Sequence, residues 1–142
     1  MSVVFALMAY WFSGFFAKPS VEPPTTLPER AVWREIVSPF VGVGVLLAEL
    51  QGERPSSEEV QSLVQRLGID RADWIYLTYV CWAGSVDSVY GLGVCGGRPF
   101  GQVDEDRGTH TREAYIRLMG EFGVSPENAM RFPPFERGFW GG

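Results

Sequence analysis

The stretch Asp73-Trp-Ile-Tyr-Leu-Thr-Tyr-Val-Cys-Trp82 constrains this chain more than any other part of it. In extended backbone, successive side chains alternate between two faces. Trp74, Tyr76, Thr78, Val80 and Trp82 then point one way, and Ile75, Leu77, Tyr79 and Cys81 the other. Both sets are apolar or aromatic, so neither face belongs in water and the strand should lie centrally in a sheet, covered on both sides. Ala83-Gly84-Ser85 supplies a turn, and Val86 to Val94 should return beside it, with Cys81 facing about Val86. Cys95 then falls at the far end, so the two cysteines are expected as buried free thiols and not as a disulfide.

Helical signals flank this hairpin. Ser56 and Glu59 have the spacing of a capping box, and Val60, Leu63, Val64 and Leu67 follow at helical period before Gly68 ends the run. Thr111 to Phe122 repeats the pattern with Tyr115, Leu118, Met119 and Phe122, and Ser125-Pro126 opens a short last helix. Phe40 to Leu50 reads as a buried strand, Glu29 to Val37 as a short helix behind Pro28, and Gly96 to Gly108 as a loop.

The first seventeen residues carry no charged side chain. As a signal peptide the segment lacks a basic start, and it is shorter than the roughly 20 residues a membrane-crossing helix needs. A buried first strand or helix is the expectation; export or anchoring through residues 1–17 is the alternative to a cytoplasmic protein. Four prolines between Pro19 and Pro28 make an extended arm. With 142 residues there is material for one ordinary domain. The expected architecture is therefore α+β: a small, mostly antiparallel sheet with two main amphipathic helices packed on one face. Residues 29–142 form this single compact domain, and residues 1–28 form an apolar element and a proline-rich arm.

Twelve basic against seventeen acidic residues give a net charge of −5, which argues against nucleic-acid binding because that needs a basic stripe. A single histidine removes most histidine-based catalysis and most zinc sites. Gly91-Leu-Gly93-Val-Cys-Gly96 matches a dinucleotide fingerprint in letters only, because Gly97-Arg98-Pro99 cannot begin the required helix; no cofactor is expected. Asp104-Glu105-Asp106 fails as a calcium loop, since the twelfth position holds Tyr115, and no metal is expected.

The default reading of these acids is a solvated loop leading into a helix N-terminus, where negative charge is favourable; the functional alternative, with Asp87, is a contact patch for a basic partner. Trp82, Tyr90, Phe135 and Trp140 sit at turns or in an irregular tail, where strand or helix period does not explain them, and are candidate aromatic anchors. The tail folded back to plug the core is the competing account of the last two.

Tyr90-Gly-Leu-Gly93, Pro99-Phe100-Gly101, Phe132-Pro-Pro-Phe135 and Gly138-Phe-Trp-Gly141 give the region from Phe40 onward a general character that resembles the immunity proteins of bacterial polymorphic-toxin loci. Those are compact, often acidic proteins rich in Trp and Gly. The resemblance implies a non-enzymatic inhibitor that occludes the active site of one cognate toxin. A self-associating structural or regulatory module is the alternative reading, and a small enzyme using Cys81, Cys95 or the acids around His110 a third.

Overall fold

The Asp73–Trp82 run forms the strand that its two apolar faces require. The computed structural model describes residues 9–51, 53–82, 85–106, 109–136 and 138–141. It contains one antiparallel sheet of six strands: β1 (Ala9–Lys18), β2 (Ala31–Ile36), β3 (Gly42–Leu47), β4 (Asp73–Trp82), β5 (Ser85–Cys95) and β6 (Arg98–Asp106), in the spatial order β2-β3-β1-β4-β5-β6. The helices are α1 (Ser57–Leu67), α2 (Thr111–Glu121) and the short α3 (Pro126–Met130), with 3₁₀ turns at Ala48–Leu50 and Pro133–Phe135.

The α+β character, the antiparallel sheet and the single compact domain agree with the expectation. The two main helices, however, do not share a face. Val60, Val64 and Leu67 of α1 pack with Phe15, Val45, Trp74, Tyr76 and Tyr90. Ala114, Tyr115, Leu118 and Met119 of α2 pack with Phe12, Phe16, Ile75, Leu77 and Tyr79 on the other face. The cause lies in β4 itself: with both faces apolar, one helix layer cannot keep both out of water.

Residues 9–18 are strand β1, paired with β3 on one side and β4 on the other. The charge-free opening therefore supplies the middle of the sheet from Ala9 onward, in one body with the elements beyond the proline-rich arm. Among the described residues, no helix is long and apolar enough to cross a membrane.

Two local expectations are overturned. Residues 31–36 form edge strand β2 and not a helix: Trp33 and Ala31 pack with the α1 side, while Ile36 is buried on the α2 side. Pairing with β3 outweighs the weak helical pattern between Glu29 and Val37. Residues 98–106 form edge strand β6 and not a loop. Gly96 and Gly97 both have positive φ, 61° and 77°, which is the backbone that a two-residue hairpin demands, and Cys95 pairs with Arg98 across it.

The α1 capping box is present as expected. Ser56 Oγ accepts from the Glu59 backbone N–H at 3.2 Å, and Glu59 Oε1 accepts from the Ser56 N–H at 2.9 Å. That bond from the Ser56 backbone holds the Glu59 carboxyl below its ordinary pKa. Gly68 closes the helix in the left-handed conformation. Cys81 lies opposite Val86, and both cysteines are free thiols, half-buried and not fully enclosed. Burial raises the Cys95 pKa, helped by Asp73, whose Oδ2 lies 3.6 Å from Sγ.

Candidate functional site

Alternation and register bring five of the eight candidate residues to one end of the sheet. β4 ends at Trp82, which pairs with Ser85 at the start of β5. Two residues later β5 is irregular: Val86 pairs with Cys81 and Ser88 with Val80, leaving Asp87 as the extra residue of a bulge. β6 ends here too, with Asp104, Glu105 and Asp106 opposite Tyr90, Val89 and Ser88. The acids expected on a loop thus stand on an edge strand, where successive side chains must part. Glu105 shares its face with Val89 and the α2 core, whereas Asp104 and Asp106 lie on the α1 face.

Asp104 is already engaged. Residues 53–55, leading into α1, cross this face as a strap. Arg54 Nε donates to Asp104 Oδ1 at 2.8 Å, and Arg54 Nη2 donates to Ser88 Oγ at 2.8 Å. Beneath the strap runs a line of buried hydroxyls. Ser13 and Thr78 are 3.2 Å apart, Tyr76 and Thr78 3.1 Å, and Thr78 donates to the Glu53 carbonyl at 3.3 Å. The pair of Arg54 with Asp104 therefore ties the strap to the edge of the sheet.

Tyr90 does not belong to an exposed site. It is 1% exposed, its hydroxyl donates to the Pro55 carbonyl, and Gln102 Nε2 donates to that hydroxyl at 2.6 Å. Burial raises its pKa. It reads as an anchor by sequence only because its strand lies beside a turn; the strap that covers it comes from 35 residues earlier.

Phe135 and Trp140 lie on the other face, folded back onto the sheet. Phe135 stacks on Tyr79 with ring centroids 4.3 Å apart, and meets Tyr10 at 5.5 Å and Phe12 at 5.4 Å. Trp140 stacks on Phe12 at 5.6 Å, and its indole N–H donates to the Pro134 carbonyl at 2.9 Å. The Tyr10 hydroxyl donates to that same carbonyl at 3.0 Å. Both rings are half-buried, so the tail serves as the lid of the α2-side core.

Among the described residues, the exposed aromatics are Trp82, at 45%, and one that sequence reasoning missed, Trp11, at 47%. Trp11 pairs with Val80 and Trp82 with Ala9, which sets the two indoles on adjacent strands, diagonal to one another on the α1 face. Only the alternation within β1 could have revealed Trp11: Tyr10 packs inward, so its neighbour must face the opposite side. Arg54 carried no signal at all, because its partners Ser88 and Asp104 are distant in sequence.

His110 is an exposed residue at the start of α2, its Nδ1 3.3 Å from Glu113 Oε2. Gly91 and Gly93 lie within β5, where their missing Cβ atoms make room for Leu118 and Phe100. Among the described residues, no three His, Cys, Asp or Glu side chains are grouped to hold a metal ion. What this end of the sheet offers a ligand is apolar ring surface beside carboxylates. Comparison with protein-family models, curated proteins and solved structures found no match.

Proposed function

We propose that this chain is a non-enzymatic binding protein, an immunity-type inhibitor that occludes the active site of a cognate bacterial toxin in the cytoplasm. The observation that supports this reading is the gathering of Trp82, Asp87, Asp104, Glu105 and Asp106 at one end of the sheet, with Trp11 beside them. Carboxylates projecting from an edge speed encounter with a basic partner and discriminate against acidic ones. Large rings that lose their exposed surface on docking slow its dissociation. A toxin that acts on nucleic acid carries a basic active-site surface, and an acidic inhibitor of this kind is its electrostatic complement.

The test is affinity capture from the native cell at low salt, with the full chain as bait and the Glu105→Lys, Asp106→Lys double variant as control. Asp104 is left intact because it holds Arg54. The expected result is one basic protein that the wild type retains, that high salt releases, and that the variant fails to hold. The purified chain then suppresses that protein's toxic activity. Equal retention by wild type and variant, or a retained protein whose activity is unaffected, overturns the proposal.

A further inference from the structure

On the α1 face the strap of residues 53–55 crosses the row Ser13, Thr78, Tyr90 and Asp104, of which the first three are buried and Asp104 is exposed and paired with Arg54. The next row outward is Trp11, Val80, Ser88 and Asp106, each directly opposite the next, and beyond it stands Trp82 opposite Ser85. Ser88 is buried under the Arg54 guanidinium, but Trp11, Trp82, Ser85 and Asp106 are exposed and Val80 is half-exposed. These residues form a shelf with a direction. Its β1 and β4 side is apolar and its β6 side is acidic. Three strand spacings separate Trp11 from Asp106, or roughly 14 Å.

We infer that this shelf seats one segment of the basic partner, which presents an apolar side chain to Trp11, Val80 and Trp82 and an arginine or lysine to Asp106. The inference rests on the inhibitor reading and assigns the surface it would use. Charge selects the occupant. Asp104 is paired with Arg54, so the outer row asks for a cation at Asp106 in particular. A second copy of this chain does not fit, because each carries a net charge of −5 and two-fold pairing would bring its acids against this acid or over the indoles. Spacing selects the form of the segment: in an extended chain, side chains four residues apart share a face and stand roughly 13 Å apart.

The experiment titrates the full chain with the capped pentapeptide Leu-Thr-Ser-Thr-Arg and with its counterpart ending in glutamate, following the indole N–H signals of Trp11 and Trp82 by NMR. The arginine peptide should shift both signals saturably, and the glutamate peptide neither. Asp106→Asn should weaken binding about 3-fold, the scale of one exposed charge pair, and Trp82→Ala should abolish it. Overturning results are no saturable shift, equal shifts from both peptides, or unchanged affinity in Asp106→Asn. Concentration-dependent broadening without peptide, removed by Trp82→Ala, would give the shelf to a second copy and also overturn the inference. A captured toxin that binds Trp82→Ala and Asp106→Asn as tightly as wild type sinks the shelf and leaves the inhibitor reading standing. Peptide binding without an inhibited toxin does the reverse.

Discussion

Replacing Phe135 by alanine decides whether the aromatic tail is core or contact surface. The ring lies against Tyr79 at 4.3 Å, Phe132 at 5.2 Å, Phe12 at 5.4 Å and Tyr10 at 5.5 Å, so its loss takes one packing neighbour from each of these four rings. A fully buried Phe→Ala change costs about 3–5 kcal/mol through lost transfer energy and the cavity left behind. Phe135 is only half-buried, which lowers the expected loss to about 2–3 kcal/mol. In a domain of this size that corresponds to a fall in Tm of roughly 6–12 °C. Urea denaturation followed by near-UV circular dichroism measures it, with the m-value unchanged if the native state keeps its extent. A loss below about 0.5 kcal/mol, the scale of a surface substitution, would refute the packing of this ring as core. It would return the tail to the partner anchors.

Three further outcomes are expected. Ser56→Ala removes the side-chain half of the capping box and should cost about 1 kcal/mol by the same denaturation assay, with far-UV signal retained. Gly91→Ala should cost about 1–3 kcal/mol, because the added Cβ would lie 2.5 Å from Leu118 Cδ2 and 2.8 Å from the Tyr76 carbonyl oxygen. A loss below about 0.5 kcal/mol in the same denaturation assay would show that the strand and Leu118 yield to the added methyl without strain. All five tyrosines have pKa values raised by burial, Tyr10 and Tyr76 to about 12. The unfolded chain releases these protons near the ordinary tyrosine value of 10.0 and the folded chain does not, so stability should fall as pH rises from about 10 toward 12. Tyrosinate absorbance should therefore appear together with unfolding; ionisation at the ordinary pH with near-UV dichroism intact would contradict the burial.

What could be read from the sequence divides by the range of the interaction that decides it. The α1 box, its glycine stop and the two-faced strand β4 are decided within a dozen residues, and each stands where the pattern put it. The hairpin at Gly96-Gly97 is equally local, but Pro99 and the three acids resemble loop chemistry. Their acceptance in a strand depends on β6 lying at the sheet's edge, where charge and proline are tolerated because one side needs no partner. Edge position is a property of the whole topology. The same holds for β2, whose apolar residues fit either period until β3 pairs with it.

The candidate site was harder for a related reason. Sequence reasoning weighs an aromatic by whether its own element explains it, and this rule chose Tyr90, Phe135 and Trp140. Cover decides exposure, and cover is delivered from elsewhere: the strap at residues 53–55 hides Tyr90, and the sheet receives the tail. The converse error passed over Trp11, because a charge-free run reads as buried throughout. α1 and its strap shield only part of their face, and the rows beyond them are left at the surface whatever their residue type. A strand longer than the helix that covers it therefore exposes its end, and in this sheet that overhang is where Trp11 and Trp82 meet the acids of β6.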